Sequence, residues 1–290
     1  MKAYWRSLCL VLAASASDST AMAAASSANE KPCLALSRTA TALSAQDVYQ
    51  LNALLISASR SGCVELATQL LKAGAVIEAR DRFGASPLSR AAEAGQDAVV
   101  KLLLEAKADI NARAVSGSTP LLLAAQTGRA ATVRLLLAHG ANPNLPGHSG
   151  LRPLAAAAFS GEADMIDALL GAGADANAID ESGKAAIIYA ASKGLGAIVR
   201  ALAKAGVDLN RRYDHGLTAL MWAAGYADDA GIEDIKDVVG FLLEKGVALN
   251  DMDDRGKSAL AIARELHHAE IVEMLLARGA IDEAAQSPAK

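Results

Sequence analysis

The sequence predicts an all-α solenoid of about seven helix-turn-helix units, and three observations carry that prediction. A pattern of small, apolar and turn residues returns every 33 residues, the mark of a repeat architecture. One column of the pattern is alanine in every unit: Ala58, Ala91, Ala124, Ala157, Ala190, Ala223 and Ala263. Aromatic residues make up only 3% of a 290-residue chain that is 52% hydrophobic and contains 67 alanines. A single large core draws much of its volume from aromatic side chains. Two Trp, five Tyr and three Phe cannot fill one, so the apolar residues must form thin, closely packed layers.

Residues 1–23 stand apart and read as a secretory signal peptide. Lys2 and Arg6 are its positive start, Leu8 to Ala14 its short apolar stretch, and Ala21-Met22-Ala23 its small-residue cleavage motif. The expected destination is the periplasm or the extracellular space. Neither this stretch nor any other reaches the roughly 20 apolar residues of a membrane span. Export leaves two cysteines, Cys33 and Cys63, and an oxidising compartment favours a disulfide between them. Such a bond would staple the segment 24–47, read as irregular, to the first folded unit. Two unpaired thiols, or a bridge between molecules, are the alternatives.

The repeat domain, 48–285, divides into units 48–80, 81–113, 114–146, 147–179, 180–212, 213–252 and 253–285, before a tail at 286–290. All have 33 residues except the sixth, which has 40. The fourth position is Gly84, Gly117, Gly150, Gly183, Gly216 or Gly256, as a tight turn with positive φ requires. Thr119 then caps the first helix, and Pro120 fills its first turn, where a missing N–H costs nothing. Ser86-Pro87 repeats this chemistry. The eighth column is Leu55, Leu88, Leu121, Leu154, Ile187, Leu220 and Leu260, and the alanine column three residues later lets neighbouring helices approach closely. Gly95, Gly128, Gly161 and Gly194 end the first helix in a left-handed cap. A leucine-rich second helix follows and ends at Gly140, Gly173, Gly206, Gly246 or Gly279. Asn111, Asn144, Asn177, Asn210 and Asn250 share a late column. Helices of about eight to ten residues are too short to stand alone in water, so stacking between units must stabilise them.

The turn Gly, Thr-Pro-Leu, Ala-Ala, mid-unit Gly, leucine-rich helix and Gly-Ala-Asp-x-Asn ending resemble the ankyrin repeat. The resemblance implies a curved solenoid with β-hairpin-like loops projecting from the helix pairs. This chain departs from that pattern in several places. The family's His after Thr-Pro-Leu is replaced by Ser89, Leu122, Ala155, Ile188, Met221 and Ala261. Lys107 stands where a Gly ends the second helix. Units one and seven diverge most and read as end caps, the last with Glu265, His267, His268, Glu270, Glu273 and Arg278 on its outer face. The sixth unit has seven extra residues near Tyr226–Asp237. Ile232, Ile235, Val238, Val239 and Leu242 at helical spacing predict a second helix lengthened at its start. Asp228, Asp229, Glu233 and Asp234 then suit a helix N-terminus. A cation site there is the alternative, although the spacing is not that of a calcium loop.

No phosphate loop, nucleophile elbow or metal-spaced histidine pair is present, so no catalytic residue, metal ligand or cofactor is expected. A net charge of −4 gives no footprint for nucleic acid. In ankyrin-like proteins the concave face combines the loops with one side of the first helix. On that resemblance the second, third, fifth, thirteenth and fourteenth columns form the binding surface, with Arg82, Phe83, Phe159, Arg212, Tyr213, His215 and Tyr226 as candidate partner contacts. Trp222 is expected instead in a buried ladder with Tyr189 and Ile262. The resulting expectation is a monomeric, non-enzymatic module that binds a folded protein partner. An exported inhibitor or immunity protein, and an accessory subunit binding a metal or small ligand through the acidic insertion, are the alternatives.

Overall fold

A computed structural model describes residues 32–41, 47–225 and 230–281. Fifteen helices follow one another there: α1 (Pro32–Thr41), α2 (Val48–Ser61), α3 (Val64–Lys72), α4 (Pro87–Ala94), α5 (Asp97–Glu105), α6 (Pro120–Gln126), α7 (Ala130–Ala138), α8 (Pro153–Ser160), α9 (Ala163–Gly171), α10 (Ala186–Ala191), α11 (Gly196–Lys204), α12 (Ala219–Gly225), α13 (Ile232–Glu244), α14 (Ala259–Glu265) and α15 (Ala269–Ala277). The first helices of successive units pack in series from α2 to α14, and the second helices pack in series from α3 to α15. The result is a two-layered helical stack. No described helix is long and apolar enough to cross a membrane.

The local chemistry of each unit starts its first helix. The Ser86, Thr119, Thr218 and Ser258 hydroxyls accept from the backbone N–H three residues on, at 3.1, 3.2, 3.4 and 3.3 Å. The left-handed caps follow: Gly95 has φ 76° and Gly161 φ 84°. Lys107 and His267 adopt the same conformation at φ 71° and 62°, at a cost of about 1 kcal/mol each for a residue with a Cβ. The seven column alanines are fully buried. A larger side chain there would force the first helices of adjacent units apart.

Each projecting loop is hairpin-like without forming strands. A backbone bond closes its base, from the first residue's N–H to the fifth residue's carbonyl: Asp81 to Ala85, Ala114 to Ser118, Gly147 to Leu151, Asp180 to Lys184, Tyr213 to Leu217 and Asp253 to Lys257, at 2.8–3.1 Å. The fourth residue's N–H also donates to the first residue's carbonyl, at 2.8–3.3 Å. The isolated bridge Ile179–Ala185 is the closest approach to a sheet among the described residues.

The N-terminal segment differs from its expectation. Its described part is the ten-residue helix α1 rather than irregular chain, and Cys33 on α1 is joined to Cys63 by a disulfide. Cys33 and Leu36 pack against the unit-one cluster of Leu51, Leu54, Leu55, Leu66 and Leu70. In unit six the extra residues do lengthen the second helix, to thirteen residues. Its buried stripe begins at Ile235, because Ile232 is exposed.

Candidate interaction surface

Two devices make the loops rigid, and the first is hydrogen bonding within the turn itself. Where the first residue of a unit is Asp, one carboxylate oxygen accepts the N–H of the third and fifth residues: Asp81 from Phe83 and Ala85, Asp180 from Ser182 and Lys184, Asp253 from Arg255 and Lys257. The other oxygen takes a side chain. Arg90 donates to Asp81 at 2.7 Å, Arg255 donates to Asp253 at 2.6 Å, and the Tyr189 hydroxyl donates to Asp180. Burial and the Asp180 carboxylate together raise the Tyr189 pKa. Burial alone would raise the Asp253 pKa, but the Lys257 and Arg255 hydrogen bonds outweigh it and hold the carboxyl below its usual range. Ala114, Gly147 and Tyr213 offer no such carboxylate. The Ala114 loop uses Ser116 Oγ instead, which accepts the Ser118 N–H at 3.4 Å, whereas the other two turn through a 3₁₀ segment with Ser149 or His215 left-handed, at φ 54° and 56°.

The second device ties one unit to the next. Val115, Glu181 and Asp254 each donate a backbone N–H to the preceding loop, to Phe83, Ser149 and His215 carbonyls at 3.0 Å. The late Asn column does the same from below. Asn111, Asn144, Asn210 and Asn250 accept through Oδ1 from the N–H groups of Asn142, Asp175, Ala248 and Ile281, at 2.7–3.0 Å. Glu78 fills this role in unit one, accepting from Asp109 at 2.7 Å. The repeated Asn was the visible signal for these bonds, but its partner lies in the next unit and no local pattern identifies it.

The candidate contacts do not share one environment. Phe83 is 55% exposed at its loop tip, with the Arg82 and Arg90 guanidiniums 4.7 and 5.4 Å from its ring centre. Beside it on the next loop, Val115 is 84% exposed. Arg212 and His215 are also exposed, but they sit on the loop of unit six, where Arg212 pairs with Asp254 at 3.0 Å. The structure therefore does not join all the candidates in one patch. Phe159 is half-buried, edge-on to Tyr189 at 6.0 Å and under the Lys193 ammonium at 4.0 Å. Tyr213 is a correction: its side chain is 8% exposed, because the first loop position turns back into the stack. Burial pushes its phenol pKa up, against the pull of the nearby Arg211. Leu217, in the fifth column expected at the surface, is also buried. Tyr226, with Asp228 and Asp229, lies outside the described residues. Trp222 and Ile262 are buried, and Tyr189 is half-buried.

Arginines lie across the seams between loops. Arg80 donates to the Arg113 carbonyl at 3.2 Å, Arg113 to Pro146 at 2.7 Å and Arg152 to Ile179 at 2.9 Å. In the insertion, Glu233 pairs with Lys236 at 2.9 Å, and Asp237 pairs with Arg200 on the preceding unit at 2.5 Å.

A family model for ankyrin repeats matches in overlapping stretches, 55–147, 88–180, 154–235 and 187–286. No curated protein matches the chain.

Proposed function

The chain belongs to the ankyrin-repeat family, and on that premise we propose that it is an exported, non-enzymatic module that holds a folded protein partner on its loop row and on the concave side of its first helices. Ankyrin repeats are in general protein-interaction modules. The observation that carries the reading here is the Phe83–Val115 pair. Two large apolar side chains stand exposed on adjacent loops, and those loops are fixed to each other by the Val115 N–H to Phe83 carbonyl bond. Aromatic and Arg anchors dominate interface energetics, and Phe83 with Arg82 beside its ring offers both; a preformed surface loses little freedom on binding. The Cys33–Cys63 disulfide supports export, because such bonds persist in oxidising compartments.

The test is capture from an extracytoplasmic fraction by the wild-type protein and by the double variant Phe83→Ser, Val115→Ser. Both side chains are exposed, so the variant should keep its circular dichroism and melting temperature while losing the captured partner. Undiminished capture would remove the loop row from the proposed site. Sequencing the N-terminus of protein recovered from the same fraction tests export. Recovery of the protein only from the cytoplasm, with residues 1–23 retained, would contradict it.

A further inference from the structure

We propose that the loop row of units two to four docks an acidic protein segment bearing an apolar side chain. This deepens the reading of that row as a protein-binding surface and rests on it. The first observation is compositional. Residues 110–161 contain no Asp or Glu, yet they carry Arg113, Arg129, Arg134 and Arg152 with His139 and His148, in a chain of net charge −4; of these Arg134, on α7, is offset by Asp164 at 3.9 Å.

The second observation is geometric. Arg113 and Arg152 donate to the carbonyls of Pro146 and Ile179, and neither pairs with a carboxylate among the described residues; Arg129 sits at the other end of the first helices, on the Glu93 carbonyl, and is not part of the row. A carbonyl orients a guanidinium without cancelling its charge. Arg80, across the neighbouring seam, also donates to a carbonyl and has Glu78 only loosely beside it at 3.6 Å. The contrast falls within one column. Arg80, Arg113 and Arg212 occupy the last position of their units, but Arg212 alone is closely paired, with Asp254 at 3.0 Å. The loop row of units two to four thus holds the oriented, uncompensated guanidiniums of Arg113 and Arg152 at successive seams, flanked by exposed Phe83 and Val115. Carboxylates match this array, since Arg binds them in a directed and often bidentate way. An apolar side chain of the same segment would cover the Phe83–Val115 pair.

The experiment uses the full mature chain and three fluorescein-labelled octapeptides: Glu-Glu-Phe-Glu-Glu-Leu-Glu-Glu and its counterparts with Gln or Lys in place of Glu. Single-stranded DNA of comparable length serves as a second anion. Anisotropy at low and near-physiological salt should rank the Glu peptide about tenfold tighter than the Gln peptide, or about 1.4 kcal/mol, with the Lys peptide weakest. The double variant Arg113→Gln, Arg152→Gln should lose that preference and the salt dependence, while Arg113→Lys retains much of both. Equal binding of the Glu and Gln peptides, binding of none of them, or DNA binding as tight as the Glu peptide and lost in the same variant would each overturn the proposal. Partner capture distinguishes its failure from that of the broader reading. Capture lost in the Phe83, Val115 variant but kept in the arginine variant removes only the acidic partner. Capture kept in both removes the loop site itself.

Discussion

The two ends of the stack are closed by different means. At the N-terminus the helix α1 lies on unit one and is held there covalently, by Cys33 to Cys63. At the C-terminus the described residues show only side-chain and backbone chemistry: the buried Asp253 carboxylate, the Asn250 bond to Ile281, and the exposed pairs Lys257–Glu265 and Lys236–Glu270. A solenoid end has no further repeat to cover its apolar layer, so a cap must do so. The first end responds to redox chemistry and the second to pH and to single polar substitutions. Because each unit contacts only its neighbours, damage at one end should stay there.

The largest effect should come from breaking the disulfide. It closes a loop of sequence separation 30, and its loss, by reduction or in Cys63→Ser, should cost about 3.5 kcal/mol. Hydrogen exchange should rise in α1 to α3 and stay unchanged in α14 and α15. Equal loosening of both ends would contradict local capping. Next is Asp253→Ala, which leaves the Arg255 and Lys257 amides without their acceptor and should cost about 2 kcal/mol, confined to the last unit.

The same residue sets a pH response. Its folded-state pKa lies below the ordinary value, so it stabilises the fold above the unfolded pKa of about 3.9. That stability is lost as pH falls through the folded-state value. Protection in residues 253–265 should therefore decline below about pH 4 in the wild type, and the decline should flatten in Asp253→Asn. The disulfide-held end should not share this acid step. Asn250→Ala removes the acceptor for Ile281 and should cost about 1 kcal/mol. The smallest expected change is a gain. His267→Gly relieves a left-handed residue in the last unit and should stabilise it by somewhat less than about 1 kcal/mol, since glycine also loses more entropy on folding. No gain in the melting profile of that end would mean the strain is offset elsewhere.

Much of this was legible in the repeat register. The hydroxyl caps at Ser86 and Thr119, the glycine turns and the alanine column are local requirements, and each recurs often enough to be recognised. The left-handed Lys107 could be foreseen because its column demanded that conformation. The candidate surface was less legible. Phe83 and Tyr213 both looked like loop aromatics, yet one sits at the third position and points outward, while the other sits at the first and is buried. The helix α1 was missed because a single ten-residue segment has no repeat to compare with. Its stability comes from a disulfide and the unit-one cluster, not from its own pattern.

The stack is written into the repeat: a short-range pattern, recurring, dictates where each helix starts, where it stops and which side faces its neighbour. The contacts between units, in contrast, depend on the closed layers. Asn111 reaches the backbone of Asn142, Arg113 reaches Pro146, and Arg212 finds a carboxylate where Arg113 finds a carbonyl. These partners lie about one repeat away in the chain and become neighbours only once the layers close, so charge and exposure at the loop row are properties of the assembled stack.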